Sequence, residues 1–433
     1  MTASIQTHDP MPISTLWPAR ILKRDFEIDL GKMLQPQQST DKETEEFYLR
    51  SANVHWNGVD LSDVKTMWFS PAEKRDLLLR EGDLVVNEGG DVGRCAIWQG
   101  TRAPHYFQNA INRVRARTSA STRFLYYWLY NLKHAGFIDA MVSRITIAHL
   151  TAEKLARVPW PDVPAAEQQH IAAYLDASCA AIDAAISAKR RQLDTLVALK
   201  SSILLKALTL GLNPNIQTRA TGATVLPIVP VGWGFRRLKS VAAVRYGLGQ
   251  PPVELSSGVA MIRATDVDAG TIRRGNFLRV DPDDLPRGRN PYLKTNEIIV
   301  VRSGAYTGDS SIVPLDLEGA VAGYDMVVTA TRVSPRFLAY CLLSRYVLEG
   351  QIFLLTLRAA QPHLNAEELG GIQLALPPTL EEQEAIADFV DVKFGELNRL
   401  SATIQAQIDT LTAYRKSLIH ECVTGQRRVT VQT

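Results

Sequence analysis

The stretch "AEQQHIAAYLD" (residues 166–176) returns 215 positions later as "EEQEAIADFVD" (residues 381–391), each time shortly after a proline, Pro164 or Pro378. Both copies read as the start of a helix. The prolines stop what precedes them, and Glu167, Glu381 and Glu382 fall in a first turn, where the helix field favours negative charge. After Leu175 the apolar positions Cys179, Ile182, Ile186, Leu193, Leu196, Ile203 and Ala207 keep a heptad register in steps of three and four, interrupted by Lys189 and Lys200. After the second copy Phe394, Leu397, Ile404, Ile408, Leu411 and Leu418 do the same, interrupted by Ser401 and Arg415. Such spacing predicts helices joined along a narrow seam, with Ile182, Ile186, Leu193 and Leu196 on one and Leu397, Ile404, Ile408 and Leu411 on the other. The segments "LGLNPN" (210–215) and "VTGQRR" (423–428) each supply a glycine for a left-handed cap. About 45 residues at 1.5 Å each give a rod of roughly 65 Å, which so thin an apolar stripe does not hold together alone. Each helix carries the seam the other needs, and an antiparallel pair is expected.

The repetition reaches well beyond the helix starts. "LWPARILKRDFEIDLGKM" from Leu16 matches "GWGFRRLKSVAAVRYGLG" from Gly232, with Trp17 on Trp233 and Gly31 on Gly247. In the same order follow "YLRSANV" and "MIRATDV", then "REGDLVVNEGGDVGRCAIW" and "KTNEIIVVRSGAYTGDSSIV", then "TRFLYYWL" and "PRFLAYCL", then "HLTAEKL" and "HLNAEEL". Short β-like runs, glycine-rich turns and one short aromatic helix mark each leading part as a compact α+β unit. The predicted fold is therefore α+β: two pseudo-symmetric globular domains separated by an antiparallel pair of long coiled-coil helices. The boundaries expected are 1–160 for the first globular domain, 161–213 for the central helix, 214–377 for a Pro/Gly/Thr-rich linker and the second globular domain, and 378–433 for the distal helix and tail.

At 433 residues, 46% hydrophobic and 21% charged, the chain is long enough for more than one core and resembles neither a disordered nor a disulfide-stapled protein. Cys95, Cys179, Cys341 and Cys422 are far apart and read as single buried thiols. No apolar run is long enough for a membrane span and no leader is evident, so a cytoplasmic protein without a membrane partner is expected. The formal charge of +3 permits a nucleic-acid partner without demanding one. Catalytic patterns are missing. There is no phosphate-binding G-x-x-x-x-G-K-[ST] loop, and the glycines of "NEGGDVGR" do not form a dinucleotide fingerprint. "RNPYL" (289–293) contains Asn-Pro-Tyr without the surroundings a methyltransferase would need. His149 and His363 read as packing or capping residues, and Asp283, Asp284, Glu367 and Glu368 as solvated surface. No catalytic residue, cofactor site or metal site is expected.

What remains is a basic and aromatic texture. "AINRVRART" (110–118) places Arg113, Arg115 and Arg117 at alternate positions of a strand, and "RRGNFLRVDPDDLPRGRNPYLK" (273–294) brings Arg273, Arg274, Arg287, Arg289 and Lys294 into one segment. The glycine-rich turns add Arg94 and Tyr306. Arginine contacts phosphates or pairs with guanine edges, and loops carry it into a groove. These ten residues are the DNA-binding candidates.

Taken together, the paired helix starts, from "VPAAEQQHIAAYLD" to "LVALKSSILLKAL" and from "LPPTLEEQEAIADFVD" to "LTAYRKSLIHECVTG", resemble the DNA-specificity subunit of a type I restriction-modification system. The likeness covers nearly the whole chain. Two departures are visible: Ala166 stands where the second copy has Glu381, and "KSSILLKAL" lacks the Thr-Gly ending seen at Thr424 and Gly425. The resemblance implies that each globular domain is a target-recognition domain for one half of a split double-stranded DNA target. It implies helices that set the spacing and bind two methyltransferase subunits, with restriction/translocase subunits in the full complex. S-adenosylmethionine would then belong to the methyltransferase partner, and ATP and magnesium to the restriction partner. Ile171, Tyr174, Ile386 and Phe389 are the expected partner-binding residues. The rival reading is a two-headed scaffold that joins protein subunits without reading DNA sequence.

Overall fold

The computed structural model describes residues 16–142, 149–249, 252–286, 290–356 and 362–429. They divide into two compact units, Met1–Lys189 with Ala406–Thr433 and Arg190–Gln405, so that each unit takes one globular head and part of each long helix.

In the first unit, Phe26–Leu30, Ile111–Ala116, Leu84–Asn87 and Cys95–Ile97 lie side by side in an antiparallel four-stranded sheet. Leu84–Asn87 has neighbours on both edges, and all its residues are buried, which is why it reads as an unbroken apolar run. Lys65–Phe69, Thr44–Leu49 and His105–Phe107 make a three-stranded sheet whose last pairing is parallel. A short ladder of Ala19–Ile21 against Pro159–Pro161 closes the beginning of the head onto its end. The second unit repeats the plan. Ala242–Tyr246, Met326–Ala330, Ile298–Val300 and Ser310–Ile312 form its four-stranded sheet. Leu278–Val280, Glu254–Ile262 and Val321–Ala322 form its mixed sheet, and Gly234–Arg237 pairs with Gln373–Leu376. The linker adds a two-stranded ladder: Thr218–Ala220 pairs with Ile228–Pro230, and Leu226 and Val229 join the core of the second head.

The matched glycines have a steric cause. A Cβ on Gly31 would sit 2.3 Å from the Gln108 carbonyl oxygen, and one on Gly247 2.3 Å from that of Gly323. Each ends the first strand of its four-stranded sheet against backbone that leaves no room for a side chain.

The two long helices are Ala165–Leu210 and Leu380–Val423, of 46 and 44 residues. Gly211 and Gly425 follow them in the left-handed region, at φ 71° and 82°, as the sequence led us to expect. Inside the first unit Asp183 pairs with Arg415 at 3.2 Å, and Arg427 lies beside Tyr174. Inside the second, Lys200 bonds Asn398, and the space beside Gly211 is bounded by Trp233 and Glu382. In both units the contacts advance along one helix as they retreat along the other, so the stretches run antiparallel. Ile182, Ile186, Leu196, Leu397, Ile404 and Ile408 are buried, while Leu193 and Leu411 are half-buried.

Candidate nucleic-acid interface

The repeated phrase is the joint between helix and head. In the first unit the Gln168 side chain, 2% exposed, accepts a hydrogen bond from the Ser121 backbone N–H at 2.8 Å and donates to the Val163 carbonyl at 2.8 Å. Ser121 caps the head's aromatic helix, Thr122–His134, through its own side chain. Three residues beyond Gln168, Ile171 is buried. Further on, Asp176 accepts from the Tyr127 hydroxyl at 2.6 Å and from Arg123 at 2.7 Å. Burial, with the hydrogen bond to Asp176, pushes the Tyr127 phenol well above its usual range. The second unit builds the same joint. Gln383, 4% exposed, accepts from the Ser334 N–H at 2.8 Å and donates to the Pro377 carbonyl at 3.1 Å. Ile386 is buried, and Asp391 accepts from Tyr340 and Arg336. The opening Gln, the central Ile and the closing Asp of the phrase thus each have a stated task. Sequence reading used Arg123, Tyr127, Arg336 and Tyr340 only as markers of repetition.

This corrects the reading of Ile171 and Ile386 as partner contacts: Ile386 joins the core of the second head and Ile171 is buried, as an apolar side chain beside a helix start is most stable within its own chain. Tyr174 is half-buried beside Arg427, and Phe389 keeps 36% of its surface exposed.

The candidate arginines separate by burial. Arg113 is 2% exposed, ion-paired with Asp29, and donates to the Asp76 and Leu78 carbonyls at 2.8 and 3.3 Å. Arg115 makes a two-pronged pair with Asp83, at 2.7 and 2.6 Å, and donates to the Leu78 carbonyl. Both guanidinium groups hold the first head together, correcting their reading as ligand contacts: the strand is buried on both faces from Ile111 to Val114, and Asp29 and Asp83 engage the two arginines. Arg94 is half-buried, donating to the Ser51 carbonyl at 3.2 Å and lying 3.5 Å from Asp91. Arg117, Arg273, Arg274, Lys294 and Tyr306 are exposed, Arg273 beside Asp268 at 3.0 Å and Arg274 beside Asp316 at 2.9 Å. Exposed pairs of this kind contribute about 0–1 kcal/mol, so either arginine can exchange its partner for a phosphate at little cost. Arg287 and Arg289 lie outside the described residues.

The two heads differ where their glycine-rich turns meet the last strand of the four-stranded sheet. The Glu88 and Arg302 carbonyls accept the equivalent amides of Leu150 and Leu364, so an acid and a base occupy matching places. Burial raises the Glu88 carboxyl above its usual range. Arg302 stacks on Tyr246 at 4.6 Å and Tyr324 at 4.3 Å and lies 3.1 Å from the His363 ring. Such a cation held between rings is a surface suited to nucleobases. No sequence signal gathered these groups, because they come from four separated segments.

The sequence model described as "Type I restriction modification DNA specificity domain" matches twice, over residues 26–193 and 230–410. The chain belongs to this family. The specificity subunit of the type I restriction enzyme EcoBI from Escherichia coli is 22% identical over 359 residues, covering 79% of this chain and 73% of that one. Among solved structures, a chain from a study of complex assembly and conformational transition in a type I restriction-modification system superposes with a TM-score of 0.73, at 14% identity, over 96% of this chain and all of that one. The HsdS subunit of Thermoanaerobacter tengcongensis gives 0.53 at 15% identity, over 97% and 100%. The specificity subunit described here reads DNA sequence and assembles with other restriction-modification subunits, without catalysis of its own. Among the described residues no group of His, Cys, Asp and Glu is placed to hold a metal. Among the described residues no single helix is long and apolar enough to cross a membrane. Cys95, Cys179, Cys341 and Cys422 are unpaired and buried, and burial pushes the Cys341 thiol up to about 12.

Proposed function

We propose that each head reads one half of a split double-stranded DNA target and that the helix pair sets the unread gap between the halves. The observation that carries this is the duplication: the same sheet orders and the same helix-to-head joint occur in both units. On this reading the two target-recognition domains fall within 1–160 and 214–377, and the helical regions within 161–213 and 378–433. Arg94, Arg117, Arg273, Arg274, Arg287, Arg289, Lys294 and Tyr306 supply contacts to DNA. Tyr174 and Phe389, in equivalent places on the duplicated helices, lie on surfaces for two methyltransferase subunits, which bring S-adenosylmethionine. Restriction/translocase subunits bring ATP and magnesium.

The test is a methylome of cells carrying the complete system. A target of two short parts separated by a fixed unread gap is expected, and a continuous palindrome contradicts the reading. Binding should weaken steeply with salt as counterions return to the phosphates, and replacing Arg273 or Arg274 should lower the log–log salt slope by about one if that residue meets a phosphate.

A further inference from the structure

The second head contains a cleft of about 300 Å³ bounded by Leu248, Met261, Arg263, Ser303, Tyr324 and Asp325. Its walls are mainly apolar, and one is the Tyr324 ring, which is 52% exposed. At the bottom lies Asp325, 2% exposed, whose Oδ1 accepts the Arg302 backbone N–H at 3.2 Å. Burial pushes this carboxyl up to about 6, while the Arg302 N–H and guanidinium pull the other way. The fold does not require an acid there. The Asp325 carbonyl receives the Gly247 N–H as the Ile111 carbonyl receives that of Gly31, so the first head closes the same place with a fully buried isoleucine. A carboxyl kept in an apolar cleft that its twin fills with hydrocarbon points to a ligand.

We propose that this cleft reads one base of the second head's half-site, with Asp325 accepting a hydrogen bond from the exocyclic amino group that a cytosine or adenine presents in the major groove beside Tyr324. This rests on the DNA-reading role proposed above. The size is at the lower end for small-ligand sites and suits the edge of one base rather than an extended molecule. A carboxylate accepts from the N4 amino group of cytosine or the N6 amino group of adenine, whereas the O4 of thymine and the O6 of guanine are acceptors and would face it unpaired. The Tyr324 ring supplies an apolar wall beside that edge, and the carboxylate supplies the choice.

The experiment uses the full chain in its assembled system, with methylation profiles for the wild type, Asp325→Ala and Tyr324→Ala. Asp325→Ala should relax one position of one half-site, a position where the wild type demands cytosine or adenine, with discrimination falling by about 5- to 150-fold and every other position unchanged. Competition binding with a duplex whose base at that position lacks only the amino group should weaken the wild type by a similar factor and leave Asp325→Ala unaffected. If the wild type reads a split target and Asp325→Ala keeps it entire, the base-reading assignment falls while the DNA-reading role stands. If the wild type has no split target, both fall. Should Asp325→Ala fail to assemble, Tyr324→Ala decides, since its exposed ring lies outside the core. Relaxation at a single position of that half-site supports the assignment, and an unchanged profile overturns it.

Discussion

Gln168 and Gln383 each satisfy a helix-cap amide and a backbone carbonyl in places where water does not reach them. Gln383→Ala would orphan the Ser334 N–H and the Pro377 carbonyl, and a buried polar group without a partner costs about 1–3 kcal/mol. Urea unfolding of the purified chain should show that loss, and a variant as stable as the wild type would contradict the joint. Asp325 gives a second check. Its folded carboxyl titrates near 6 against a usual 3.8, the Arg302 charge favouring ionisation and Asp266 opposing it. Between those values the unfolded chain has lost the proton that the folded chain keeps, so wild-type stability should decline relative to Asp325→Asn as pH rises from about 4 to about 6 and then level off. The whole change is of the order of 3 kcal/mol. A stability difference that stays flat over pH 4–7 would show that the acid is solvated.

The pairing of the long helices can be tested directly. Each head is fastened to both of them: Gln168 and His420 reach Ser121 and Asn131 in the first unit, and Leu208 and Ile386 join the core of the second. A heptad inserted only after Leu196 keeps its own seam in phase yet lengthens one rail of a two-railed support, so it should strain both joints. A heptad after Leu196 together with one after Ala402 should be tolerated, and a matched pair of four-residue insertions should not, because four residues turn the seam off its partner. Melting temperature and methylation activity of the three variants report this, and equal behaviour of the four- and seven-residue pairs would refute the paired seam. The helices were legible because a heptad repeat needs no knowledge of anything distant. Lys200 and Arg415 were read as breaks in the seam, and the structure makes them cross-helix partners of Asn398 and Asp183. The burial of Arg113 and the pairing of Arg115 were not legible, since alternation does not reveal a strand covered on both faces, and Asp29 and Asp83 are remote in sequence. The cleft around Asp325 was hidden for the same reason.

For the molecule as a whole, a net charge of only +3 means that affinity for DNA depends on where the basic groups lie rather than on their sum. Exchanging the second head, from after Pro230 to before Pro378, for that of another specificity subunit should alter one half of the methylated target and leave the other intact. A profile altered in both halves, or in neither, would contradict independent reading. The constant spacing of 215 between the two helices has another outcome. Lys200 is the counterpart of Arg415, and Asp183 the counterpart of Asn398. A polypeptide ending near residue 213 would therefore find its missing rail on a second copy of itself, with Asp183 of each copy opposite Lys200 of the other. Sedimentation should show that fragment as a dimer which Lys200→Glu splits into monomers, and a monomeric unmodified fragment would argue against self-complementarity. A stable dimer would mean that the duplication is reversible: two short chains meeting in solution would rebuild the pairing that one long chain now encloses within itself.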